Sequence, residues 1–393
     1  MKAFEKPLFT MEIGSLAKPA WRVKAHLGEP VDAADLAEAR LWGERLGIGG
    51  YGALLEALRA PDSPGRRRAA LEWSAIYALR LLESAGLDFV FDGEQWRREM
   101  YEHAISAIGG FAFLGEVRSF DNKYYRKAAC IDRPWRAGPI YLEEFLFAKS
   151  MARRPLKVPV TGAYTLADWS FDEYYRRAWM ARARGPRAIR EGAKRDMVLD
   201  LAREVLRPEL RDLAGAGAEW IQIDEPAATT HPSEWEMELF VEAFNESASG
   251  LPCRVSLHNC YSDYSLLARY APELRGCWQI SLEFANRDSR RPGTSDADRP
   301  GYRALRAFEE AGYGGSYGLG VLDVHTDFVE PPELVRDRIL YALGVVGWDP
   351  GRIQPCPDCG LRTRTWEVAL AKLGALVEGA RLAREAIGCE GGL

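Results

Sequence analysis

Long apolar runs, a surplus of positive charge and a cysteine framework are all missing from this chain of 393 residues. No run of about 18 apolar residues occurs, so no segment has the length to cross a bilayer as a helix. The first residues, MKAFEKPLFTMEIGS, carry charges where a secretion signal needs an apolar stretch, and the expected location is cytoplasmic. Lysine and arginine number 52 against 57 acidic residues, a net charge of −5, which leaves no excess cation to neutralise the phosphates of a nucleic acid. Basic runs at 65–68 (GRRR) and 176–190 (RRAWMARARGPRAIR) read as solvated helix faces or as docking points for an acidic partner. Seven cysteines, odd in number and irregular in spacing, exclude a disulfide scaffold. Internal repeats, low-complexity tracts and Ser/Gly-rich linkers are also lacking, so residues 1–393 are expected to form one domain.

What the chain does have is core. Hydrophobic residues make up 47% of it and twelve are tryptophan, ample for a large packed interior. Eight short apolar runs recur: FTMEIGS (9–15), LDFVFDGE (87–94), LKVPVTGAYT (156–165), WIQIDEP (220–226), CRVSLHNC (253–260), CWQISLEF (277–284), SYGLGVLDVH (316–325) and RIQPCPDC (352–359). Near-continuous hydrophobicity is what strands buried on both faces of a parallel sheet require. Amphipathic helical stretches lie between them, among them RRAALEWSAIYALRLLESAG and ELVRDRILYALGVVG, several closed by glycine. Eight alternations of strand and helix predict an α/β fold of the (β/α)8 TIM-barrel type. Two connections are long and are expected as insertions after strands 1 and 2. Residues 16–86 hold more than one helix, and about 109–150 hold a hairpin turning at Asp121 and Asn122.

Polar side chains gather where these strands end: Ser15, Asp92, Glu94, Asp224, Glu225, His258, Cys260, Glu283, Asp323, His325 and Cys359. In a (β/α)8 barrel the C-terminal strand ends converge on one pocket, so residues distant in sequence become neighbours there. Among them His258, Cys260, Glu283 and Cys359 offer imidazole, two thiols and a carboxylate, the donor types zinc takes. The two-residue step from His258 to Cys260 lets both side chains leave one face of a strand. A zinc ion with such ligands activates thiols, and Glu283, the hardest of the four donors, is the one an incoming thiol would displace. Glu94 and Asp224 are then free to grip an ammonium group, and His325 to shuttle a proton. The CxxC pair Cys356 and Cys359 closes a strand late in a large chain, unlike a thioredoxin motif, and either thiol is open to metal binding.

The segments EIGS, DGEQWRREM, VTGAYTLADWSF, IQIDEPA, HNCY, ISLEFANRDS, GVLDVH and PDCGLRTR, in this order, resemble the C-terminal catalytic barrel of cobalamin-independent methionine synthase, from about residue 10 to residue 375. The resemblance implies transfer of a methyl group to the sulfur of homocysteine bound to Zn2+. It implies His258, Cys260, Glu283 and Cys359 as zinc ligands, Ser15, Glu94 and Asp224 as the groups holding the amino acid, His325 as the acid, and Trp169 as the side chain lying against the pterin of a folate donor.

Two departures shape the expectation. The chain starts at the catalytic barrel and looks like the short core form, without the second barrel that helps the long enzymes hold a folate polyglutamate tail. After IDEPA it reads Ala228, Thr229, Thr230 where the long enzymes carry Leu-Arg-Glu, so an acid near the pterin is missing. The expected donor is therefore a methyl-corrinoid, free or on a corrinoid protein, ahead of methyltetrahydrofolate. Competing readings are alkylation of another thiol such as coenzyme M, and a non-catalytic zinc or corrinoid-carrier binding protein. Retention of Glu94 and Asp224 favours a thiol that also bears an ammonium, which coenzyme M lacks.

Overall fold

The computed structural model describes residues 3–118, 124–231, 233–260 and 263–389. In chain order its strands are β1 (Ile108–Arg118), β2 (Tyr124–Arg136), β3 (Val158–Thr161), β4 (Phe171–Asp172), β5 (Trp220–Asp224), β6 (Arg254–Asn259), β7 (Cys277–Leu282), β8 (Ser316–Leu322) and β9 (Ile353–Pro357). Six of them form a parallel sheet in the order β3-β5-β6-β7-β8-β9.

Two further staves close the sheet into a barrel. Met11 pairs with Phe89 and Val90 with Leu156, each as a parallel bridge. The Met11 N–H donates to the Pro355 carbonyl at 3.2 Å, and the Lys157 N–H to the Val90 carbonyl at 3.1 Å. The ring therefore has eight members, as the eight apolar runs predict, but the first two, expected at 9–15 and 87–94, are single bridges and not full strands. Their neighbours explain this. Pro155 and Pro355 supply carbonyls to the seams, accepting from the Val90 and Met11 N–H groups, but these two residues and Pro159 have no N–H to return, so the ladder cannot run on.

The N-terminal end of the barrel is plugged by rings. Phe9 and Phe89 lie 5.0 Å apart, Phe89 and Trp220 5.0 Å, and Trp220 and Trp278 5.2 Å. Met11, Ile13 and Cys356 complete this buried apolar cluster. Above it the inward side chains turn polar: Gln279 donates to Gln354 at 2.8 Å, and Ser281 to Gln279 at 2.9 Å. The functional end is thus a polar floor on an aromatic plug.

Both insertions are present. Residues 16–86 carry four helices, of which Pro64–Ser84 starts with the Ser63 hydroxyl accepting from the Arg66 N–H at 3.2 Å and proline in the first turn. β1 and β2 form the antiparallel hairpin, and β4 adds to β2 in parallel. The predicted turn residues Asp121 and Asn122 lie outside the described residues. Thr165, expected at a strand end, lies instead in the short helix Ala163–Asp168. No helix among the described residues is long and apolar enough to cross a membrane.

Candidate metal and substrate site

β6 delivers His258 as its penultimate residue, beside Asp224 of β5 in register. Cys260 follows one residue beyond the strand, and Cys359 comes just after β9. One donor atom each from His258, Cys260 and Cys359 falls within 4.8 Å of the others. Around a tetrahedral zinc with bonds of ~2.0–2.3 Å, neighbouring donors sit roughly 3.5–3.8 Å apart, so this cluster is already near metal-binding dimensions. Both His258 ring nitrogens are buried; their polar neighbour is the Cys359 sulfur, and among the described residues no nitrogen or oxygen atom bonds to them. A sealed imidazole facing two sulfurs is a costly arrangement for a metal-free protein and a natural one for a metal site. The residues present fit zinc.

The charges agree with that fit. Cys359 is held below the ordinary thiol range, chiefly by the hydrogen bond from Cys260, with burial opposing and His258 adding to the pull. The same bond, and then burial, pushes Cys260 well above it. Burial disfavours a charged His258, but the Cys359 sulfur outweighs burial and raises the ring above its usual value. Cys356, the alternative sequence candidate, lies in the apolar plug beneath.

Glu283 stands beside this cluster, one residue past β7, with its side chain fully enclosed. Its Oε2 accepts from the Asn286 amide at 3.1 Å, and its Oε1 lies 3.6 Å from His325 Nε2. What fixes it is Asp358, the residue before Cys359, which carries no signal in the sequence beyond that of a turn acid. The Asp358 carboxylate accepts from the N–H groups of Phe284 (3.0 Å), Ala285 (2.9 Å) and Asn286 (2.7 Å). Burial lifts this carboxyl to about 8 against the pull of those three donors. One side chain thus ties the turn after Glu283 to the turn that carries Cys359.

The three groups expected to hold an amino acid come together around the same mouth. Glu94 has φ 56°, a left-handed conformation rare for a residue with a side chain. Asp92 holds it there by accepting the Glu94 N–H at 2.8 Å. Arg97 Nη1 lies 3.7 Å from Glu94 Oε1, while the rest of that guanidinium grips Glu144 and donates to the Pro159 carbonyl at 2.7 Å. Gly14 leaves the space Glu94 fills, since a Cβ there would sit 2.7 Å from Glu94 Oε1. Ser15 rests against Gly360 of the Cys359 turn, where any side chain would overlap its hydroxyl. Asp224 is buried and, mainly through burial, raised to about 7.

Glu225, next to it, plays a structural part. It accepts from the Tyr164 and Thr165 N–H groups at 3.0 and 2.7 Å and starts the helix Ala163–Asp168. Trp169 closes that helix, half-buried at the C-terminal side of β3. Its ring lies 6.3 Å from that of Tyr101, whose hydroxyl accepts from the Ala128 N–H of β2 at 3.0 Å. Tyr101, which belongs to the helix Met100–Ser106 and is tied to the hairpin by that bond, thus links the hairpin to Trp169. Thr229, in the segment that departs from the long enzymes, donates to Asn259 at 2.6 Å.

Sequence reasoning also missed Glu12, Lys157 and Gln222. All three are buried inside the barrel. A lysine within the apolar run LKVPV was the available signal, as was Gln222, which alternation places on the same strand face as Asp224.

The chain resembles known proteins over most of its length. The family model "Cobalamin-independent synthase, Catalytic domain" matches residues 66–382. The methionine synthase of Thermoplasma acidophilum is 41% identical over 312 residues, spanning 76% of this chain and 85% of that protein. That of Pyrococcus horikoshii is 38% identical over 325 residues, spanning 82% and 86%. Among solved structures, a B12-independent methionine synthase from Shewanella sp. W3-18-1 in complex with selenomethionine superposes with a TM-score of 0.72 over 97% of this chain and 99% of the other, at 22% identity. The chain belongs to the cobalamin-independent synthase catalytic-domain family and is a methyltransferase of the methionine synthase type.

Proposed function

We propose that the whole chain works as one catalytic barrel, in the cytoplasm, that methylates the thiol of homocysteine to give methionine with zinc held by His258, Cys260, Glu283 and Cys359. The observation that carries this reading is the imidazole and two thiols within 4.8 Å of one another, beside two carboxylates suited to an ammonium. Zinc bound there would supply the charge that ionises a thiol at neutral pH, where a free alkyl thiol with a pKa near ~8.5 is only a few per cent thiolate.

The chain's own residues do the rest. Asp224 and Glu94 accept from the substrate ammonium, and Ser15 offers its hydroxyl beside them. His325, whose proton affinity is raised chiefly by the Glu283 carboxylate 3.6 Å away, is the group placed to move a proton at the rim. Trp169 and the hairpin wall the side from which the donor approaches. The methyl group leaves its carrier without the bonding pair and forms the new C–S bond with the thiolate pair, so the carrier keeps two electrons. A carrier nitrogen then needs a proton, and a corrinoid cobalt does not. With Ala228, Thr229 and Thr230 in place of the acid of the long enzymes, a methyl-corrinoid is the donor we favour.

The test is methionine formation by zinc-loaded protein from homocysteine, with methylcobalamin or methyltetrahydrofolate as the sole methyl source. Product from methylcobalamin supports the whole reading. Product from the folate alone keeps the thiol site and overturns the donor. Zinc-free protein that works equally well removes the metal from the mechanism.

A further inference from the structure

Beneath the mouth of the barrel lies a buried polar network that none of the roles above uses. Lys157 has no exposed surface, yet it carries an amine into the barrel interior. Its Nζ donates to the Ile13 carbonyl at 3.0 Å and, at short range, to Gln222 Oε1. The Gln222 amide nitrogen donates in turn to the same Ile13 carbonyl at 2.8 Å and to Asp224 Oδ1 at 2.7 Å. Glu12 lies next to Lys157 with both carboxyl oxygens buried and, among the described residues, no hydrogen-bond partner.

The direction of these bonds matters. An amide side chain can turn either way in a polar pocket, presenting its oxygen or its NH2. Lys157 is donor only, so Gln222 must offer it the oxygen, and the NH2 is then left to face Asp224. With that donor on Oδ1, the carboxylate is held in one rotamer. The Ile13 carbonyl links the arrangement to the segment that carries Gly14, against which Glu94 packs, and Ser15. A network of this kind fixes the partners of a substrate without touching it.

We infer that Lys157, acting through Gln222, is the positioning residue that orients Asp224 and registers it against the Ser15 segment for an α-amino thiol. This rests on the homocysteine reading above and adds a determinant of substrate choice to it. A thiol without an ammonium group has nothing to gain from an oriented Asp224. Loss of Lys157 should therefore weaken the amino thiol selectively.

The experiment compares homocysteine with 4-mercaptobutyrate, which keeps the thiol and carboxylate but lacks the amine, using zinc-loaded protein and methylcobalamin. In Lys157→Met the KM for homocysteine is expected to rise on the order of tenfold while kcat changes by less than about threefold, and the KM for 4-mercaptobutyrate to stay unchanged. Gln222→Met, which keeps Lys157, serves as the second variant should Lys157→Met fail to fold, and is expected to show the same selective loss. Equal shifts for both thiols, or a fall in kcat with KM unchanged, would overturn the inference. If the wild-type protein shows no preference for homocysteine, the functional reading itself fails. If the wild type prefers homocysteine and the variants keep that preference, only the role of Lys157 is lost.

Discussion

His325 Nε2 and Glu283 Oε1 lie 3.6 Å apart, joining the expected proton donor to an expected zinc ligand. About a third of the histidine side chain, 34%, reaches solvent while the glutamate is sealed, so the ring is the part of the pair that can meet a donor molecule. The carboxylate favours the protonated imidazole, against the opposing effect of burial.

That pairing makes the two donors separable by mutation. His325→Asn should lower kcat with methyltetrahydrofolate on the order of a hundredfold, the usual scale for losing a general acid. With methylcobalamin, whose cobalt keeps the bonding pair without a proton, kcat should change only a few-fold. Steady-state rates with each donor decide it, and equal losses with both would remove His325 from proton transfer.

The thiols can be told apart by metal content. Cys356→Ser should keep one zinc per chain, because Cys356 lies in the apolar plug, while Cys359→Ser should lose most of it. Metal analysis after gel filtration measures both.

Asp358 is the residue whose loss should loosen the metal site from outside. In Asp358→Asn an NH2 replaces an acceptor oxygen and faces a backbone N–H, so at least one of the three bonds to Phe284, Ala285 and Asn286 is broken. A lost buried hydrogen bond of this kind costs about 1–3 kcal/mol, and zinc should be retained less tightly. Urea unfolding and competition with a chromophoric chelator report the two effects.

Glu12 gives a pH signature. Burial, opposed by Lys157, raises its carboxyl from 4.5 to about 7, so the folded protein binds the Glu12 proton more tightly than the unfolded chain does. The proton's contribution to stability is then fully present below pH 4.5 and is lost as pH rises through 7. Over that window the shift corresponds to about 3 kcal/mol at most. Glu12→Gln should accordingly be near neutral in stability at about pH 5 and stabilising at about pH 8, in unfolding curves on the metal-free protein. A variant equally destabilised at both values would contradict a neutral Glu12 in the folded state.

The barrel was legible because its strand order is sequential and each strand announces itself as an apolar run. The seams at Met11 and Val90 were not, because a run of the right composition reads as a strand whether or not proline neighbours can complete its ladder. Strand ends also singled out His258, Cys260 and Cys359, whose donor atoms the fold brings within 4.8 Å of one another, since chemistry-bearing side chains stand out against apolar neighbours. Asp358 stayed hidden beside Cys359, where an acid before a cysteine looks like turn chemistry. Lys157 and Gln222 stayed hidden because their meaning lies in which atoms they face across the barrel, and sequence spacing does not record that. Glu94 was proposed from its motif, but its left-handed backbone and its contact with Gly14 appear only in three dimensions.

The proposed chemistry depends on zinc sitting among His258, Cys260, Glu283 and Cys359 and taking up the substrate thiol. Zinc-edge X-ray absorption on the purified protein, before and after homocysteine, addresses both points at once. Two sulfur neighbours at ~2.3 Å are expected before addition and a third afterwards, replacing an oxygen. A sulfur count that does not change on adding homocysteine would contradict thiol binding at the metal.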